Sequence, residues 1–316
     1  MAKAWKSLFL VIGLALTHSA ALATMLMSGV GAPLTAAPSY QGRGDIVPGA
    51  LADWGLRPYT AAFSGNIANV CDQATGLTCA NVTAAAGVVT FPTISGVACN
   101  NTTNICIIKT LFDQVGNGCA AGANCDQTTI PAGSRFSITE WPVLVMPGAS
   151  NGCTDSTKPC MSGNGGQCFQ TSNNITYAQP FSYVAVYSAS GASDIIAPST
   201  TNLQLRPIPA STLIQQYAGG SPKDVAATSG THYSVQAVYA DATSASSISI
   251  NAVTSTSTGI GTSGATAEKL GMFGSIPCSS MAGTISEVTI YPFTLTSTQI
   301  TNLNANDHSS QGWGTF

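Results

Sequence analysis

Ten cysteines, all beyond residue 70, constrain this chain more than any other feature. An even set in an exported chain reads as a disulfide framework, because thiols stay reduced in the cytosol and oxidise outside it. Three short spacings mark local staples: Cys71 with Cys79, Cys99 with Cys106, and Cys119 with Cys125. Cys153, Cys160, Cys168 and Cys278 supply two more bridges, one of which joins Cys278 to the middle of the chain. A thiolate zinc site fits poorly, since no C-x-x-C pair occurs and the sequence holds only 3 histidines.

The N-terminus supplies the export signal that this reading needs. Lys3 and Lys6 precede the apolar run SLFLVIGLAL, and Ala21-Leu22-Ala23 offers small residues to signal peptidase. That is the three-part pattern of a secretory signal peptide. An uncleaved anchor is the competing reading, but the run is shorter than the roughly 20 residues that span a bilayer. No later stretch is long and apolar enough to cross. Residues 1–23 are therefore expected to be a signal peptide, 24–55 a Pro/Gly-rich leader segment, and 56–316 a single domain. The expected destination is extracellular or periplasmic.

The formal net charge is −3, and loss of Lys3 and Lys6 makes it more negative. No basic patch is present, which argues against nucleic acid as a partner. Charged residues make up 7% of the chain, against about a quarter in ordinary globular proteins. Ser, Thr, Asn, Gln and Gly carry the surface polarity instead. Such a surface suits work among neutral polymers such as polysaccharides.

Strand patterns dominate the rest. FSYVAVYSAS (181–190) and HYSVQAVYAD (232–241) are rich in aromatic and β-branched residues, and Tyr233, Val235, Ala237 and Tyr239 share one face at the two-residue period. SSISINAV and GTISEVTIYP continue the pattern, with Gly, Asn and Ser clusters at short intervals. This is the rhythm of an all-β sandwich or jelly roll. One segment reads as helix: Thr296 and Gln299 form a capping box, with Ile300 and Leu303 three apart behind it. Residues 147–176, with three cysteines and little periodicity, read as a disulfide-pinned loop inserted in the sandwich.

Two stretches resemble a known family. WGLRPYTAAFSGNIANV (54–70) followed by CNNTTNICIIKTLFDQVGNG (99–118) resembles the N-terminal half of the catalytic domain of family 54 α-L-arabinofuranosidases. HYSVQAVYAD, KLGMFGS and GTISEVTIYPFTLTSTQITNLNAND resemble the closing strands and terminal helix of bacterial laminin-G-like, concanavalin A-like domains. Both resemblances imply a concanavalin A-like two-sheet jelly roll with a short C-terminal helix.

Glycoside hydrolysis generally needs two carboxyl groups flanking the scissile bond. In the family the nucleophile is a glutamate closing a Cys-Phe-Asp-Tyr-Gly-Asn-Ala-Glu stretch. Cys168-Phe169-Gln170-Thr171-Ser172-Asn173-Asn174-Ile175 matches it here, which puts Ile175 at the nucleophile position. The family's acid follows a Leu-Gly-Ile-Gly-Gly run, and Ser275 follows the corresponding Leu270-Gly271-Met272-Phe273-Gly274. The resemblance therefore implies that both catalytic carboxyls are missing. Glu287 and Asp194 are the weak substitutes. A serine-type triad is disfavoured, with only His232 and His308 beyond the signal peptide and no G-x-S-x-G elbow. His308 lies in a polar tail, where a solvated histidine is the expectation.

In DQVGNG, Asp113 and Asn117 are expected to build a turn, with Gly116 and Gly118 at positive φ. Calcium is the sharper alternative for that pair, and no other cofactor is implied. For sugar binding, Trp54, Trp141, Tyr177, Tyr183 and Trp313 are candidate stacking platforms. Tyr177 with Asn173 and Asn174 is the preferred cluster, with Trp141 beside it as a further candidate. The sequence thus points to an exported protein that binds polysaccharide or glycan, or serves surface interaction. An active α-L-arabinofuranosidase-like hydrolase and a purely structural extracellular protein are the alternatives.

Overall fold

The computed structural model describes residues 39–116, 118–119, 123–129, 141–148, 153, 155–164, 168–189, 194–199, 203–208, 213–227, 231–240, 245–275, 279–280 and 282–316. Asn117, Cys278 and the expected signal peptide lie outside them. Tyr40–Phe316 forms one compact unit. The main strands are β1 (Ala52–Gly55), β2 (Ser64–Asp72), β3 (Cys79–Ala85), β4 (Cys106–Leu111), β5 (Phe181–Ala189), β6 (His232–Tyr239) and β7 (Ala282–Tyr291). Two helices accompany them among the described residues, α1 (Arg43–Ile46) and α2 (Ser297–Asp307).

The strands form two antiparallel rows. In the first, β7 pairs with β1 and Cys160–Asn164 on one side and with β5 on the other. β5 then pairs with β6, and β6 leads through Ser246–Ile250 to Val253–Ser257. In the second row β2 lies between β3 and β4, and β4 continues through Gln127–Thr129, Phe169–Thr171 and Leu270–Met272. Val143–Val145 pairs with both rows, against Cys160–Asn164 and against β4. Ile67, Phe169 and Leu270 from one row and Trp54, Tyr183 and Val288 from the other share one hydrophobic core. The result is the two-sheet sandwich that the strand rhythm predicts.

The first row is covered on its outer face as well. β5 is buried at every position from Phe181 to Ser188. Tyr183, Ala185 and Tyr187 join the sandwich core, whereas Val184 packs with Val238, Tyr291, Ile300 and Leu303 beneath α2. The two-residue period separates these faces. The capping box holds α2 in place: Gln299 N–H donates to Thr296 Oγ1 at 3.3 Å, and Thr296 N–H donates to Gln299 Oε1 at 2.9 Å.

Cys71–Cys79, Cys99–Cys106 and Cys119–Cys125 are bridged as the spacings predict, and Cys153–Cys160 forms a fourth short loop. Cys168 is also disulfide-bonded. Two expectations are corrected. Residues 40–55, read as the end of a leader, supply α1 and the core strand β1. Residues 147–176, read as an inserted loop, contain the strands Cys160–Asn164 and Phe169–Thr171 and the start of Ile175–Tyr177, so part of that stretch belongs to the sheets. These strands are too short for a period to register. Among the described residues, no helix is long and apolar enough to cross a membrane.

Candidate functional site

Two arginines from the start of the domain meet three acids under α2. In β1, Trp54 turns into the core, so its neighbour Asp53 faces outward opposite Thr289 of β7. By the same alternation Glu287 and Thr289 share the outer face. Arg43 of α1 donates from Nε and Nη2 to the two carboxylate oxygens of Asp307, at 3.2 and 3.0 Å, and from Nη1 to Thr289 Oγ1 at 2.9 Å. Arg57 donates from Nε to Glu287 Oε2 at 2.8 Å and from Nη2 to Asp307 Oδ1 at 2.9 Å. Ser234 adds a hydroxyl donor to Asp307 Oδ2, and Trp313 Nε1–H donates to Glu287 Oε2 at 2.9 Å. Arg43, Asp53, Glu287 and Asp307 are 0% exposed.

A carboxylate or guanidinium in such a place is tolerable only because its partners are there. Burial alone would lower the Arg43 pKa, but the Asp307 and Glu287 carboxylates outweigh it and raise it. Burial, and then the charge of Glu287, push Asp53 well above the ordinary carboxylate range. Its neutral form is the one the site favours.

Above this cluster lies a pocket of about 230 Å³. Leu56, Arg57 and Trp313 are its buried floor, and half-buried Tyr40, Phe91 and Lys158 stand at its mouth. The Arg57 guanidinium carbon sits 5.5 Å from the Trp313 ring centroid, a cation–π contact. Gly87 carries φ +80°, and a Cβ there would come within 2.5 Å of Tyr40 Cβ, so only glycine lets Tyr40 close that wall.

Of the residues singled out by sequence, Glu287 and Trp313 belong to this site, and the others fall elsewhere. Tyr177 is only 6% exposed and lies within the core cluster of Phe181, Tyr183 and Tyr239. Its hydroxyl meets that of Tyr183. Tyr177 is thus a core residue, not a sugar platform. Trp54, Tyr183 and Trp313 are buried as well. Asn173 and Asn174 are exposed, and Asn173 Nδ2 donates to Asn124 O at 3.0 Å, tying two loops together. Trp141 is half-buried just before Val143–Val145, whereas Tyr177 ends a strand in a separate two-stranded ladder, so the proposed cluster is split between sheets.

Glu287 and Asp194 do not form an acid pair. Glu287 faces the arginines on the outer side of the first row, whereas buried Asp194 exerts its field on Tyr239 in the sandwich interior. Ile175, which the sequence resemblance would put at a nucleophile position, is 0% exposed and belongs to the core. The backbone of Ser275 pairs with Ser279 in a two-residue ladder. His308 is not a solvated tail residue: it caps α2 and stacks on Phe316 with centroids 4.1 Å apart.

Asp113 holds three backbone N–H groups. Oδ1 accepts from the N–H groups of Asp53 and Val115 at 3.2 and 3.1 Å, and Oδ2 from Cys125 N–H at 3.3 Å. Gly116 has φ +75°, but Gly118 is needed for a different reason: a Cβ there would lie 2.1 Å from Leu51 O.

Arg43, Arg57, Lys158 and Asp307 were not singled out by sequence. An arginine set among apolar residues, as in DWGLRPY, is the one local signal for a buried ion pair.

No protein-family model matches the chain, and no curated protein matches it either. Among solved structures it is similar to a mutant family 54 α-L-arabinofuranosidase soaked with 4-nitrophenyl α-L-arabinofuranoside, with a TM-score of 0.54 and 13% identity. It is also similar to an arabinofuranosidase complexed with arabinofuranosyl-α-1,2-xylobiose, with a TM-score of 0.54 and 14% identity. A family 54 α-L-arabinofuranosidase soaked with a cyclic sulfate inhibitor gives a TM-score of 0.51 at 14% identity. In each case the match covers 84% of this chain and 64% of the other. The chain thus spans less than two-thirds of the length of these structures, and the likeness is one of fold.

Proposed function

We propose that the protein is an exported glycan-binding jelly roll without hydrolytic activity. The observation that carries this reading is the state of its acids. A glycosidase needs two carboxyls open to the same sugar. Here Glu287 and Asp307 are sealed in a core ion cluster, and an isoleucine at the nucleophile position can neither attack an anomeric carbon nor stabilise an oxocarbenium ion. The arabinofuranosidase-like fold supports a carbohydrate partner, and the disulfides with the N-terminal signal pattern support export.

The test is hydrolysis of an aryl α-L-arabinofuranoside by purified, oxidised protein, run beside a glycan array on the same sample. Binding without turnover is expected. Arabinose release that vanishes in Asp194→Asn would make the protein a hydrolase instead. Silence in both assays would leave a structural extracellular role.

A further inference from the structure

The pocket above Trp313 has a chemical character of its own. Among its described lining residues the charged ones, Arg57 and Lys158, are both cations and none is an acid. Glu287 and Asp307 occupy Nε and Nη2 of Arg57, and Nη1 is buried with no hydrogen-bond partner among the described residues. A buried guanidinium nitrogen left without an acceptor is costly, and a ligand oxygen would satisfy it. Lys158 Nζ donates to Ser310 O at 2.5 Å, which holds the ammonium at the mouth.

Burial lowers the Lys158 pKa, and the positive charge of Arg57 adds a smaller lowering that the Asp155 carboxylate outweighs. Asp155 opposes that shift, but it lies outside the lining and its Oδ1 accepts from Thr157 N–H at 2.7 Å. An anion between Arg57 and Lys158 would accept from both.

The remaining walls are apolar: Leu56, Phe91 and the Trp313 ring. Such surfaces suit the C–H faces of a sugar ring. At about 230 Å³ the volume lies below the ~300–1,000 Å³ of drug-sized sites, which favours one sugar unit over a long chain segment.

We propose that the Arg57–Lys158 pocket binds the carboxylate of a uronic acid unit, with Arg57 Nη1 and Lys158 Nζ as donors and Phe91 beside the ring. This rests on the glycan-binding reading above and names its acidic subclass. Two donors, one from each cation, match the two oxygens of a carboxylate.

The test is calorimetric titration of the full oxidised protein with methyl β-D-glucuronide, methyl β-D-glucoside, acetate and inorganic phosphate. The glucuronide is expected to bind at least about tenfold more tightly than the glucoside, the scale of one charge-assisted hydrogen bond. Lys158→Met is expected to remove that preference, and Phe91→Ala to weaken the glucuronide while leaving acetate unchanged. Arg57 is left intact because it also holds Glu287 and Asp307, and the thermal midpoint of each variant checks folding. Equal affinity for glucuronide and glucoside, or no effect of Lys158→Met, overturns the proposal. Acetate or phosphate binding as tightly as glucuronide overturns the sugar assignment and leaves an anion pocket. Neutral glycans captured on an array without glucuronide binding sink this inference alone, whereas no binding to any sugar sinks the glycan reading with it.

Discussion

Arg43 and Asp307, 264 residues apart in the chain, meet through two parallel hydrogen bonds in a site from which water is excluded. Removing one partner of such a pair leaves the other as an uncompensated buried charge. Arg43→Met is therefore expected to cost about 3–5 kcal/mol of unfolding free energy. Urea titration measures it, and a loss below about 1 kcal/mol, the scale of surface pairs, would mean that the pair is solvated in solution.

Tyr177 and Asn174 separate a packing role from a binding role. Tyr177 lies in the aromatic core, so Tyr177→Ala is expected to destabilise by about 3–5 kcal/mol. Exposed Asn174 is expected to tolerate alanine within about 0.5 kcal/mol. Tyr177→Ala that keeps its thermal midpoint and loses glycan binding would restore it as a ligand contact.

The Cys71–Cys79 bridge closes a loop of sequence separation 8 across the β2–β3 ladder. Loop-closure entropy assigns it roughly 2.5 kcal/mol. The paired replacement Cys71→Ser with Cys79→Ser should lower stability by about that amount and leave the ladder intact, as amide exchange in β2 and β3 would report. Unchanged stability would place the bridge's effect outside the unfolded chain.

His308 makes stability pH-dependent. Burial lowers its pKa below the ordinary 6.5, against the opposing pull of Asp307. The unfolded chain therefore binds the proton first as pH falls. The contribution is complete above the ordinary value and is lost as pH drops through the folded one. The thermal midpoint should fall between about pH 7 and pH 5, and His308→Gln should flatten that slope. Asp53, whose pKa is raised by burial, acts in the opposite sense, so the comparison of the two proteins is what isolates His308. Parallel slopes would exclude it.

What the sequence disclosed follows the range of the interaction. The alternation in HYSVQAVYAD and the Thr296–Gln299 box are local, and both appear in the structure as read. Close cysteines likewise found one another. The three-residue strand holding Tyr177 is too short to show a period, and neighbouring asparagines made it look like a loop. Arg43 and Asp307 carry no local pattern that links them, so the ion cluster, and the pocket resting on it, emerge only from the fold. The same distance hid Lys158, which reaches Ser310 from across 152 positions.

The buried cluster also orders events in time. Arg43 and Arg57 lie near the beginning of the domain, while Glu287, Asp307 and Trp313 lie at its end. A nascent or translocating chain delivers both cations, with Asp53 between them, long before Glu287 and Asp307 exist. Until the final strand and helix arrive, closing the outer layer would seal two cations under it with one acid of the cluster beside them. The last thirty or so residues thus act as a clasp, and a chain stalled short of them stays open to chaperones and proteases.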